Sequence, residues 1–90
     1  MRINYSKHAE EQLKEREMSK QLINNILLES QQVIAARKGR KIAQSIVELD
    51  EIRFLIRVIY IEEGEFAEII TVYKTTKIKN YWRNANEDTL

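Results

Sequence analysis

The sequence predicts an α+β domain in which two N-terminal helices pack on one face of a three- to four-stranded antiparallel sheet and a short C-terminal helix follows. Three observations lead there. Apolar residues recur at helical spacing up to about Glu29 and at alternating spacing from Gln32 onward. Gly39, the Asp50–Glu51 pair and Gly64 break the second part at hairpin intervals. Ninety residues at 43% hydrophobic content suffice for one modest core and no second one.

Each element has its own signal. Ser6 is a plausible N-cap for the first helix, with Glu10 and Glu11 near its positive end and a thin apolar stripe of Ala9, Leu13 and Met18. Ser19 caps a second helix from Lys20 to about Glu29, whose Leu22, Ile23, Ile26, Leu27 and Leu28 give the wider apolar face. "QVIAA" reads as a short strand, "RKGR" as a turn and "KIAQSIVEL" as a second strand. "IRFLIRVIYI", Ile52 to Ile61, is the strongest strand, and "EEGE" turns it into "FAEIITVY". A last short helix is expected at about Thr76 to Arg83, and Arg2 to Asn4 could add an edge strand. One domain is expected over residues 1–84, with a disordered tail at 85–90.

Composition narrows the chemistry. With no cysteine, disulfides and thiolate chemistry are excluded, and one histidine with dispersed carboxylates makes a metal site unlikely to assemble, so neither metal nor cofactor is expected. No window approaches the roughly 20 apolar residues of a membrane span, so the expectation is a cytoplasmic protein without a membrane partner. The net charge of +1 hides a strong pattern. Residues 48–68 hold seven acids against Arg53 and Arg57. They separate two acid-free stretches, one carrying Arg37, Lys38, Arg40 and Lys41, the other Lys74, Lys77, Lys79 and Arg83. Local field steers an anionic partner more than net charge does, so the pattern permits nucleic-acid binding, although charge blocks also serve as plain solvated faces.

Several side chains stand out. His8 is the only histidine; at helical spacing it shares a face with Gln12 and with Glu15 or Arg16, and it is either an acid–base group or an ordinary surface residue. Arg57 points away from the Phe54 and Ile56 side of an apolar strand and must reach solvent, a carboxylate or a ligand phosphate. Glu48 or Glu68 could pair with it or with Arg53 across the hairpins. Tyr73 and Lys74 end the last strand on opposite faces, and Lys77, Lys79, Tyr81 and Trp82 follow. Lysines with interleaved aromatics suit the phosphates and splayed bases of single-stranded RNA, whereas Tyr81 and Trp82 could equally pack on the sheet. The chemistry left without a metal or covalent nucleophile is RNA cleavage by its own 2′-OH, aided by a base, an acid and cations.

"YSKHAEEQLKERE", "QQVIAARKGRKIAQSIV", "IRVIYI" and "ITVYKTTKIKNYW" together resemble the small bacterial domain-of-unknown-function proteins related to BrnT within the RelE/ParE toxin superfamily, over residues 3–82. The resemblance implies a compact toxin fold, metal-independent mRNA cleavage on or off the ribosome, and a cognate antitoxin protein as partner. It matches His8 and Arg16 to the opening motif, Arg57 and Tyr60 to the "RVxY" strand, and Tyr73 with Lys74 to the "VYKT" ending. The catalytic set it implies is His8, Arg16, Arg57, Tyr73 and Lys74, and nucleic acid falls to Arg37, Lys38, Arg40, Lys41, Lys77, Lys79 and Tyr81. Glu17 stands where the family usually has glycine. ParE-type relatives bind gyrase and are not nucleases, so a non-catalytic protein- or nucleic-acid-binding module of the same fold is the alternative.

Overall fold

The structure, a computed structural model, describes residues 1–83; the tail expected at 85–90 lies outside the described residues. Strand β1 (Arg2–Tyr5) leads into helices α1 (Lys7–Glu15) and α2 (Lys20–Leu28), followed by β2 (Gln32–Ala35), β3 (Lys41–Leu49), β4 (Ile52–Glu63) and β5 (Phe66–Thr75). Both serines cap as their position dictates: Ser6 Oγ accepts from the Ala9 N–H at 3.0 Å and Ser19 Oγ from the Leu22 N–H at 3.1 Å. Helix α1 ends where Glu17 turns left-handed at φ +53° and the Met18 N–H reaches back to the Leu13 carbonyl at 2.9 Å.

The α+β class and the two helices agree with the sequence reading, and the sheet corrects it. Five strands are present, in the order β1-β5-β4-β3-β2, and the sheet is mixed because β1 runs parallel to β5. β1 adds to the edge of the last strand, and four residues are too few for their alternation to reveal that pairing. The expected C-terminal helix is a single 3-10 turn, Ile78–Asn80. Of the other expected strands β2 stops one residue short, at Ala35, β3 matches, β4 and β5 each run two residues further, and the β3–β4 hairpin turns on Asp50 and Glu51, both at positive φ.

One irregularity sets the geometry of the sheet. Ile59 pairs with Thr71 but Tyr60 pairs with Ile69, so Ile70 is an extra residue in β5 and the two halves of that strand differ in parity. The bulge sits where β1 leaves the sheet. Ser6 holds it there, its N–H donating to the Ile69 carbonyl at 2.9 Å and its hydroxyl to the Ile70 carbonyl at 3.0 Å. Beyond it α1 takes over the edge, where Gln12 Oε1 accepts from the Val72 N–H at 2.8 Å. The slip places Ala67, Ile69 and Val72 on one face although their spacing is not even. With Ile56, Val58 and Tyr60 of β4 they form the floor on which Ala9, Leu13, Ile23 and Ile26 pack. Burying each such side chain contributes about 1.5–3 kcal/mol. Among the described residues the other face of the sheet carries no α-helix, and Arg57 stands on it.

Candidate functional site

Register assembles the site on this open face. Gln32 of β2 lies opposite Gln44 of β3, Gln44 opposite Arg57 of β4, and Arg57 opposite Tyr73 of β5, so four polar residues form one lateral row across four strands. Without the bulge at Ile70, Arg57 would face Val72 and the tyrosine would lie beneath the helices. The row is hydrogen-bonded throughout. Arg57 Nε donates to Gln44 Oε1 at 2.9 Å, an Arg57 terminal nitrogen donates to the Tyr73 hydroxyl oxygen, and Gln44 Nε2 donates to Gln32 Oε1 at 2.7 Å.

The segment after β5 folds back over this row. The Tyr81 ring covers the Arg57 guanidinium with 4.4 Å from centroid to Cζ, and meets Tyr73 edge-on at 6.2 Å between centroids. Two clefts flank the segment. One, of about 450 Å³, is lined by Ile34, Ile42, Arg57, Lys79, Tyr81, Trp82 and Arg83 among others. The second, of about 430 Å³, is lined by Arg53 and residues 76–80, including Lys77 and Lys79. Among the described residues neither lining includes an acid. Leu55, on the same face, is fully buried.

Arg57 has no carboxylate partner: among the described residues the ion pairs are Lys20–Glu10 at 3.0 Å and Lys41–Glu62 at 3.7 Å. Glu48 lies opposite Arg53 and Glu68 opposite Ile61, and neither is bonded to Arg57. A half-buried guanidinium held on one side by a neutral amide and a phenol therefore keeps its charge and its remaining N–H donors for something else.

Arg57, Tyr73, Tyr81 and Lys79 thus meet, with Lys77 along the adjoining cleft. His8 does not join them: it is exposed on α1, whose apolar side packs on the opposite face of the sheet, and Arg16 ends the same helix. Lys74 pairs with Ile56 on that helix-covered face, where its ammonium lies 5.1 Å from the Phe54 ring centroid. Arg37, Lys38 and Arg40 form the exposed tip of the β2–β3 hairpin, beyond the Ile34 and Ile42 end of the first cleft, and Lys41 is engaged by Glu62. Sequence reasoning missed Gln32 and Gln44, and placed Arg83 only in the second basic block. The two-residue turn at Asp50–Glu51 fixes Gln44 opposite Arg57 and could have flagged the glutamine.

Among the described residues no group of three or more potential ligands is placed to hold a metal ion, and no helix is long and apolar enough to cross a membrane. Compared with protein-family models, curated proteins and solved structures, the chain matches none of them.

Proposed function

We propose that the chain binds single-stranded RNA across the open face of its sheet and cleaves it without a metal ion, as a type II toxin neutralised by a cognate antitoxin. One observation carries the reading. Among the described residues Arg57 is a half-buried cation without a carboxylate partner, in hydrogen-bond contact with a tyrosine hydroxyl and lining a cleft that holds no acid. In this scheme a phosphodiester lies on the free edge of Arg57, and Lys79 and Arg83 hold the flanking phosphates. The RNA 2′-oxygen attacks phosphorus and loses its proton to solvent. Arg57 offsets the charge of the crowded phosphate, and Tyr73 gives its proton to the departing 5′-oxygen. Because the guanidinium donates to the Tyr73 oxygen, the phenol hydrogen remains available for that transfer. The products are a 2′,3′-cyclic phosphate and a free 5′-hydroxyl. His8, Arg16 and Lys74 are outside this centre.

A second reading has its own support. Among the described residues Tyr73 is the only titratable side chain hydrogen-bonded to Arg57, and a site with a single proton-transfer group suits binding as well as catalysis. The same face would then hold an acidic antitoxin segment or RNA without cutting it. Induced expression with growth and RNA integrity followed together, and incubation of purified chain with RNA in EDTA, separate the two. The toxin reading expects growth arrest and fragments ending in cyclic phosphate. Intact RNA in both settings, with or without ribosomes, gives the site to the binding module.

A further inference from the structure

The open face carries a buried amide where an apolar residue would have packed. Gln44 is 0% exposed, and every polar group on it is used: Oε1 accepts from Arg57, while Nε2 donates to Gln32 Oε1 at 2.7 Å and to the Tyr81 carbonyl at 3.2 Å. Gln32 repeats the arrangement one strand over. Its Oε1 also accepts from the Arg83 N–H at 3.2 Å, and its Nε2 donates to the Arg83 carbonyl at 2.5 Å, so the side-chain amide pairs with the chain as a neighbouring strand would. Among the described residues every hydrogen bond from 81–83 to the sheet runs to one of these two glutamines. Tyr81 and Trp82 otherwise bond only within their own turn, to the Ile78 carbonyl.

We infer that Gln32 and Gln44 are positioning residues for the RNA site. They fasten residues 81–83 across the sheet so that Tyr81 stacks on the Arg57 guanidinium, and they turn that guanidinium so that its terminal nitrogens face Tyr73 and the cleft. Neither glutamine carries charge, so neither neutralises a phosphate; each acts through Arg57, Tyr81 and Arg83. The two contributions separate experimentally. Gln32→Ala frees the 81–83 segment, Arg83 included, and removes no charged group. Gln44→Glu sets a carboxylate beside Arg57 Nε, cancelling the charge the phosphate would use.

This inference rests on the RNA reading, and its test distinguishes the two. The full chain and its variants are titrated with a labelled oligouridylate over a range of salt, and Trp82, the only tryptophan, reports on the segment through acrylamide quenching. For Gln32→Ala we expect stronger quenching of Trp82 in the free protein and affinity lower by about tenfold, the effect of one net hydrogen bond, with the salt slope unchanged. Gln32→Glu keeps both acceptor contacts but turns a carboxylate oxygen toward the Arg83 carbonyl and adds a negative charge to the site, so it should bind no more tightly than Gln32→Ala. Gln44→Glu is expected to weaken binding and flatten the salt slope by about 0.7, one phosphate contact on a single strand. If Gln32→Ala leaves Trp82 quenching and affinity at the parent's values, the positioning role is wrong even where RNA binds. If Arg57→Gln binds the oligouridylate as tightly as the parent, the RNA site is wrong, and a Trp82 contrast in Gln32→Ala still supports the fastening. Should Gln44→Glu fail to fold, the Gln32 pair decides.

Discussion

Replacing Arg57 by alanine is expected to destabilise the fold far more than a surface substitution. Among the described residues the guanidinium is the only partner of Gln44 Oε1, on a fully buried side chain, so its removal leaves an unpaired acceptor at a cost of about 1–3 kcal/mol. The rings of Tyr81 at 4.4 Å and Tyr73 at 5.6 Å lose their cation, at about 0.5–1 kcal/mol each. Together these give about 2–5 kcal/mol, which for a domain of this size lowers the midpoint of thermal unfolding by on the order of 10 °C or more. Urea denaturation followed by Trp82 emission measures it. Arg57→Leu with Gln44→Leu should cost less than the sum of the two single changes, by about 1 kcal/mol or more, because the double change no longer leaves Gln44 Oε1 buried without its donor. A cost for Arg57→Ala within about 0.5 kcal/mol, as at an exposed site, would refute the hydrogen-bonded row.

Two further outcomes are expected. Glu17 holds φ +53° at the end of α1, a conformation that costs a side-chain-bearing residue about 1–2 kcal/mol; Glu17→Gly should therefore raise stability by about 0.5–1 kcal/mol once glycine's extra unfolded-state entropy is subtracted, and an unchanged or lower urea midpoint counts against it. Burial pushes the Tyr5 hydroxyl up to about 12, and burial with the nearby Glu62 charge raises Tyr60 as well. Because both folded-state values lie above the unfolded one, this stability is complete below about pH 10 and is lost as pH rises from there toward about 12. Tyr5→Phe should flatten that alkaline decline, and an equally steep decline in the variant would place its origin elsewhere.

The parts of the fold legible in the sequence are those written locally. Ser6 and Ser19 mark helix starts by their own hydroxyls, and the alternation of Ile52 to Ile61 reads as a strand because its two faces differ. The pairing of β1 with β5 was not legible, since Arg2–Tyr5 finds its partner more than sixty residues away. Nor was the bulge: "EIIT" gives no sign that Ile70 is the extra residue, yet it decides that Tyr73 shares a face with Arg57. Arg57 could be singled out because a charge in an apolar strand is costly without a partner. Gln44 drew no notice because an uncharged amide in an alternating strand is ordinary until its burial is known. His8 stood out by composition alone, and its place on the exposed side of α1 separates it from Arg57.

The most direct test of the central claim is single-turnover RNA cleavage in EDTA by the parent and by Tyr73→Phe. That substitution removes one oxygen and leaves the cations, the ring against Tyr81 and the guanidinium charge in place. The account predicts cleavage by the parent, and a rate lower by about 100-fold or more in the variant, in the range for loss of a general acid, with RNA affinity nearly unchanged. Equal cleavage by the two proteins, or a parent that binds RNA and leaves it intact, would contradict the catalytic assignment of the Arg57–Tyr73 pair.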